Sequence, residues 1–526
     1  MSRYVSPQRA RSTILASLLL AAFAINLDTT IVNVALPSLV RELHASNSQL
    51  QWMVDAYNLV FAALLLASGS LSDRVGRKGM LLAGLGVFGG ASLLGGLMST
   101  PGQVITARCV MGLGAAMIFP ATLSLISNVF TERAERARAI GFWGATAGAA
   151  IALGPIVGGW LLERFSWTSI FFAMAPVAAA AAVFVASVVP TSRDPQAPRI
   201  DRGGLVFSTA AMGLLIFTII EAPNHGWGSA RTLGGFAIAT VLLAAFVMWE
   251  RRTSAPMLDV GLFRNPRFTA ASGSVTIAFF CLFGFIFLIT QYFQFFKGYS
   301  PLSAGVHLLP VATSVGVASV LGTRLAVRFG TKLVVASGLV AVACFYAWVS
   351  TGSATTSYGT IATQMVLFGT GMGFTSAPAT EAIMDVVPRA KAGVGSAVND
   401  ATRLLGGTLG VAVIGSVYAS LFASRLTGSL PRALPAGLAH TAHSSVGAAL
   451  AVSGGLGHAG QAALAGRVHD AASTAFFHGF SAGNLVAAGV AALGAVMAAA
   501  LLPAHPLHAA SEPTPAEATA QVASSQ

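Results

Sequence analysis

From Thr13 to Leu36 the chain runs 24 residues with a single charged side chain, Asp28, and apolar runs of about this length recur along most of the sequence. About 20 such residues in a helix cover the roughly 30 Å hydrocarbon core of a bilayer. In lipid every backbone amide must be paired within its own segment or in a closed barrel. The runs are continuous rather than alternating, so helices are the solution. Composition agrees: 9% of the 526 residues are charged, 55% are hydrophobic and mean hydropathy is +0.74. A soluble chain carries roughly a quarter charged residues, so this one lacks the side chains to cover a water-facing surface. The sequence therefore predicts one multi-helix bundle. Its helices are expected near 13–36, 51–70, 80–99, 104–128, 138–162, 168–190, 204–222, 232–250, 267–290, 302–325, 331–351, 359–386, 397–422 and 480–502. The first run is too long for the core of a cleaved leader and has no convincing cleavage site, so it reads as a retained helix.

The net charge of +12 could suggest nucleic acid, but the placement of the charges points elsewhere. With the N-terminus inside, 22 of the 30 basic residues fall in internal segments and seven in external ones, with Arg108 alone inside a span. Every internal connection is basic, and a miscounted helix would invert the bias downstream. Fourteen spans with both termini cytoplasmic follow, with anionic lipid rather than nucleic acid as the partner of the basic face. Cys109, Cys281 and Cys344 lie inside apolar runs and match neither a disulfide framework nor a metal spacing. Residues 423–479 read as a long external surface loop with partial helices. Its histidines at 440, 443, 458 and 469 match no metal-site pattern, so no metal or cofactor is expected. The tail from Pro503 is polar and reads as a disordered cytoplasmic segment.

Several short motifs carry more than topology. After the second helix stands Gly69-Ser-Leu-Ser-Asp73-Arg74-Val-Gly76-Arg77-Lys78, in which the glycines permit close packing and a tight turn. Asp73 can cap a helix or pair with an arginine on the neighbouring helix. A basic topogenic loop explains the cations but not the aspartate and both glycines. Arg328-Phe-Gly330-Thr-Lys332 echoes Arg74-Val-Gly76-Arg77-Lys78 at an offset of 254, which suggests a duplicated bundle. Helix 1 carries Leu27-Asp28-Thr29-Thr30-Ile-Val-Asn33-Val-Ala35-Leu36-Pro37. Helix 4 carries Arg108 with Gly112 and Gly114, and helix 5 carries Gly154-Pro155-Ile-Val-Gly158-Gly159. Helices 9 and 10 carry Gln291-Tyr-Phe-Gln294, Gly298-Tyr-Ser-Pro301 and Leu309-Pro310.

In this order the motifs resemble those of the major facilitator superfamily, and within it the 14-helix drug:proton antiporters, from about residue 13 to 422 and over the last helix. The resemblance implies an all-α integral membrane fold of two six-helix bundles, 1–200 and 253–503, with two additional helices in 201–252 and a tail from 504 to 526. It implies a proton-coupled exporter of lipophilic, cationic drugs that is a monomer and not an enzyme. Proton coupling and substrate binding fall to Asp28, Arg108, Asp55 and Asn33. Gating falls to the loop residues Gly69, Asp73, Arg74, Gly76 and Arg77, and a hinge to Gly154, Pro155, Gly158 and Gly159. Glu221, Glu381, Asp385, Asp400 and Arg403 are weaker candidates.

The physics of these residues is compatible with those roles. An ionisable group inside a membrane helix is costly and marks function by default. Asp28 lies about 15 residues into helix 1, roughly 22 Å from the inner face at 1.5 Å per residue. Arg108 and Asp55 lie about one turn below the outer face, at comparable depth. A carboxyl in an apolar cavity can hold a proton and give it up when an arginine moves close. The plainer readings are a bundle hydrogen bond for Asp28, a clamp on backbone carbonyls for Arg108, and a solvated interfacial residue for Asp55. A packing kink is the plainer reading for the Gly-Pro segment. Glu221 reads as structural, Glu381 and Asp385 as solvated, and Asp400 with Arg403 as a local pair. Some relatives in the family the chain resembles that export dicationic drugs carry a carboxylate just after the Leu-Pro; Pro310-Val-Ala-Thr-Ser-Val-Gly has none, so the resemblance leaves polyvalent cations in doubt as cargo. The phenylalanines of helix 9 can line an apolar pocket or a core. No phosphate-cradling loop, nucleophile–base pair or polar pore face is present, which argues against ATP-driven transport, a membrane-embedded enzyme or a channel. A dedicated exporter of one metabolite or self-made antibiotic stays open.

Overall fold

The computed structural model describes residues 7–193, 201–254, 256–387 and 392–502, so four of the basic residues assigned to internal segments, Arg3, Arg199, Arg389 and Lys391, and the expected tail lie outside the described residues. Helices and turns make up the described chain. The first six helices are α1 (Pro7–Leu43), α2 (Asn47–Val75), α3 (Arg77–Gly95), α4 (Pro101–Val129), α5 (Arg133–Arg164) and α6 (Ser169–Val188). Then come α7 (Arg202–His225) and α8 (Ala230–Glu250). The second half holds α9 (Pro266–Phe295), the short α10 (Pro301–Val306) continuing into α11 (Leu309–Phe329), α12 (Thr331–Val349), α13 (Tyr358–Val386) and α14 (Ala392–Ser429). It ends with α15 (Ala436–Ser444), α16 (Val446–His458) and α17 (Ala462–Leu501). Among the described residues eleven helices are long and apolar enough to cross a bilayer, or up to thirteen if the bent α2 and α5 each count as one span. Helix α13 stands where the twelfth span is expected.

Two halves result. In the first, α1 packs on α5 and α6, α4 on α2 and α3, and α3 on α6. In the second, α9 packs on α13, α14 and α17, and α13 on α11 and α12. The halves meet along α2 with α14, α5 with α10, and α1 with α9. Helix α7 leans on α2 and α14, with α8 behind it. One end of the bundle carries the basic connections between α2 and α3, α4 and α5, and α8 and α9, and is here called the basic face.

At the opposite face the helix starts are capped by hydroxyls: Ser46, Thr100, Ser229, Ser300 and Ser357 each accept from a backbone N–H in the first turn. Ser46 and Gln49 form a reciprocal capping box. Each such cap satisfies a donor the helix cannot pair itself and contributes about 1 kcal/mol. At the basic face Gly76 (φ 128°) joins α2 to α3, and Gly330 (φ 91°) joins α11 to α12. Both backbones lie where side chains are strained, so the echo at offset 254 is the same tight turn built twice.

The segment from 423, expected as a surface loop with partial helices, is shorter as a connection and more helical than that. Helix α14 continues to Ser429 and α17 begins at Ala462, leaving 430–461 as the connection, itself occupied by α15 and α16. At 40 residues α17 is about 60 Å long, twice the hydrocarbon core, so the alanine-rich helix runs on beyond the bilayer. Helix α16 packs on α17 and α1, and a Cβ at Gly447 would stand 2.6 Å from Val40 and 2.7 Å from Phe295.

Gly76→Ala and Gly330→Ala are each expected to cost about 1–3 kcal/mol through backbone strain. Thermal unfolding of the detergent-solubilised protein should show both losses. Gly79→Ala, whose added methyl meets nothing within 4 Å, should show none.

Candidate functional site

Helix α4 carries Arg108 into the middle of the first half, where it is 0% exposed. Its Nη1 donates to Asp28 Oδ2 of α1 at 2.5 Å, forming a buried ion pair. Its Nε donates to the Met53 carbonyl of α2 at 3.0 Å, and its guanidinium lies 4.3 Å from the centre of the Tyr57 ring. Tyr57 in turn donates to the Ile25 carbonyl, one turn before Asp28, at 3.1 Å. Thus α1, α2 and α4 are tied through one guanidinium, and Arg108 is both an ion-pair partner and a carbonyl clamp. Tyr57 was not singled out from the sequence; its place two residues after Asp55 gives no sign of the Arg108 contact. Asn33 is buried farther along α1, where its Nδ2 donates to the Thr29 and Thr30 carbonyls and its Oδ1 has no hydrogen-bond partner.

The glycines of α5 touch this segment directly. A Cβ at Gly154 would fall 2.0 Å from Thr30 Oγ1, and one at Gly158 2.7 Å from Ile31. Next to them, a Cβ at Gly159 would stand 2.5 Å from Leu302 Cα of α10, and one at Gly305 2.3 Å from the Pro155 carbonyl. Helix α5 bends by 40° between Ala150 and Ala152, where Pro155 leaves the Ile151 carbonyl without its usual amide donor. The kinked, glycine-lined helix is therefore wedged between the Asp28 turn of α1 and the first helix of the span across the seam.

Asp55 departs from the solvated reading: it is 0% exposed, and neither carboxyl oxygen has a hydrogen-bond partner. It lies on α2 one turn from Gln51, whose Nε2 donates to the Val411 and Ala412 carbonyls and Ser416 Oγ of α14. One turn the other way, Leu59 packs with Ala412 of α14 and Ile216, Ile219 and Ile220 of α7. Spacing of four residues keeps all three on one helical face. Asp55 thus belongs to the seam between the halves, while Asp28 and Arg108 sit within the first half.

The loop motif is a knot within the first half. Arg77 Nε pairs with Asp73 Oδ1 at 2.7 Å, and Ser124 of α4 donates to the same oxygen at 3.0 Å. The Arg77 amide donates to the Ser192 carbonyl and Lys78 Nζ to that of Ala186, which ties in the end of α6. Gly69 approaches Pro120 of α4, and Arg74 is exposed.

Among the weaker candidates, Glu221 accepts from Asn224 at 3.0 Å, a local bond at the end of α7. Glu381 and Asp385 are both exposed, and Asp385 is also paired with Arg267 of α9 at 3.0 Å. Asp400 is buried, and Arg403, rather than closing a pair with it, donates to Thr380 at 3.2 Å and lies over Phe279. Most phenylalanines of α9 fill a core: Phe285 packs on Phe345 and Phe368, and Phe293 on Tyr299. Gln294 crosses to α1, donating to the Val34 carbonyl at 2.9 Å.

Two helical halves that meet along a glycine seam, with a buried carboxylate–guanidinium pair inside the first, define a multi-pass membrane transporter. The chain belongs to the Major Facilitator Superfamily, whose sequence profile matches residues 18–411. It is 35% identical over 474 residues to the multidrug efflux pump LfrA of Mycolicibacterium smegmatis, covering 90% of this chain and 93% of that one. It is 33% identical over 395 residues to the tetracenomycin C resistance and export protein of Streptomyces glaucescens, covering 75% and 73%. The fold resembles a bacterial homolog of the human lysosomal transporter Spinster, solved in an inward-facing, unoccupied conformation. There the TM-score is 0.63 at 16% identity, over 94% of this chain and 98% of that one.

Breaking a buried pair leaves the survivor unpaired, at about 3–5 kcal/mol. A carboxyl can escape that cost by taking up a proton, whereas a guanidinium cannot. Asp28→Asn should therefore lower the unfolding temperature more than Arg108→Gln, and the double variant should recover part of the loss. Equal losses from the two single variants would contradict this account.

Proposed function

We propose that the chain is a proton-coupled antiporter that exports lipophilic, cationic drugs or toxic compounds across the cytoplasmic membrane. The observation that carries the reading is the contact of the Asp28 turn with the α5 glycines, which themselves touch α10 of the other half. A proton reaching Asp28 removes the charge that holds Arg108. The guanidinium keeps only Met53 and Tyr57, both on α2, so the grip of α4 on α1 loosens. The α1 turn can then shift against Gly154 and Gly158, and the α5–α10 seam shifts with it. Asp55 is a second place for a proton, because a carboxylate with no donor or cation beside it is expensive to bury. Proton occupancy there bears on the α2–α14 seam.

Fourteen spans with both termini cytoplasmic fit the basic face, which then contacts cytosol and anionic lipid. The cross-half bonds named above, from Gln51 and Gln294, lie toward the opposite face, as do the α5–α10 contact and α16. Near the basic face the ion pairs Arg11–Glu135, Asp73–Arg77 and Arg267–Asp385 each stay within one half. This pattern supports a state closed to the outside and open to the cytosol. We take the transporter to act as a monomer. The absence of a carboxylate in Pro310–Gly316 supports monovalent over polyvalent cations. A second reading, export of one self-made antibiotic, is favoured by the likeness to the tetracenomycin C exporter.

In everted vesicles with an acidic interior, lipophilic monovalent cations should drive proton release. Asp28→Asn should reduce that release, normalised to the amount of protein in the membrane, to the level of vesicles lacking the protein. Retained coupling in Asp28→Asn together with loss in Asp55→Asn would move the coupling site to the seam. No response to a broad cation panel would sink drug antiport.

A further inference from the structure

Away from this site, two carboxyls converge at the basic-face end of the helix pair α7 and α8. Asp201 caps α7 and is 9% exposed; Glu250 is the last residue of α8 and is 3% exposed. Asp201 Oδ1 accepts from the Gly204 amide at 2.8 Å and from Trp249 Nε1 at 2.7 Å. Glu250 Oε2 accepts from the Leu258 amide at 3.1 Å, in the connection that leads to α9. The other two oxygens, Asp201 Oδ2 and Glu250 Oε1, are buried without a hydrogen-bond donor. They stand 2.6 and 2.4 Å from the point where a Cβ on Gly204 would sit, hence no more than 5.0 Å from each other. Only glycine fits there, and Gly203 makes room for the Trp249 ring in the same way.

No cation compensates the pair among the described residues. Arg202 on α7 and Arg251 and Arg252 after α8 are exposed, as is Arg264 in the connection, and none forms an ion pair with either carboxyl. Asp259, also in the connection, accepts from the Gly261 amide. No group of three or more metal-ligating side chains forms among the described residues. Two buried carboxylates this close cannot both ionise without a donor between them. We propose that Asp201 and Glu250 hold one proton between their inward-facing oxygens, and that this shared proton fastens α7, α8 and the connection to α9 into one joint. The proton sits on one oxygen and is accepted by the other; when it leaves to water at the basic face, two anions confront each other and the joint loosens. The joint stands where the chain leaves the additional helices for the second half, so its proton occupancy sets how firmly that link is held. This inference does not depend on Asp28 or on the cargo.

The test uses the full-length protein in nanodiscs, read by infrared spectroscopy in the carboxyl C=O region and by thermal unfolding between pH 6 and 9. The native protein should show a protonated-carboxyl band at pH 7 that disappears as pH rises, with the unfolding temperature falling over the same interval. Glu250→Gln and Asp201→Asn each supply an amide N–H in place of the shared proton. Both should lack this band and keep a flat unfolding temperature across the interval. An Asp28→Asn, Asp55→Asn background should retain band and slope, which separates this joint from the transport site. A band that survives both Glu250→Gln and Asp201→Asn overturns the proposal. So does a native protein that loses the band only when millimolar Mg2+ or Ca2+ is added, since that would mark a cation bridge.

Discussion

Arg108 cannot give up its proton, and it is completely enclosed, so the first half must be organised around its charge. Asp28 meets that charge from α1, the Met53 carbonyl and the Tyr57 ring meet it from α2, and α4 supplies the arginine itself. Three helices thereby depend on one guanidinium. The partner that can change its charge is the carboxyl, and it lies on the helix that α5 presses against. A change of protonation therefore has mechanical consequences, because in a packed interior the atoms around a released ion pair cannot simply stay in place.

In the proposed cycle, glycine carries that change across the molecule. On α5, Gly154 and Gly158 lie against Thr30 and Ile31, while Gly159 lies against the backbone of Leu302 in the second half. In a bilayer no hydrophobic force draws helices together, so close van der Waals contact between small residues does the work. Larger side chains at these positions would separate the helices and disconnect the carboxyl from the seam. The Asp73–Arg77 knot and the Gly76 turn act differently, holding α2, α3, α4 and α6 together.

Much of this was legible in the sequence because it is local or periodic. Apolar runs marked the helices, the glycines of the loop motif marked a tight turn, and its echo marked a second such loop; both turn at positive-φ glycines, Gly76 and Gly330. The intramembrane charges Asp28 and Arg108 stood out as costly, though only the fold could pair them, 80 residues apart. Asp55 was harder, since a carboxylate beside Trp52 and Tyr57 near a helix start looks interfacial until α14 covers it. Asp385 is exposed, but its pairing with Arg267 was not legible, because that partner is on another helix. Asp201 and Glu250 were invisible as a pair, each sitting at a helix end where an acidic residue is ordinary.

The sequence by itself determined that this chain lives in a bilayer and which few side chains are costly to bury there. These follow from transfer energies and from periodicity, which act residue by residue. Only the tertiary structure decided which of those charges meet, that α16 packs on α17 and α1, and which glycines are contacts rather than spacers. Those outcomes depend on the approach of helices far apart in the chain, and the energy of a buried charge is set by the few atoms that finally surround it.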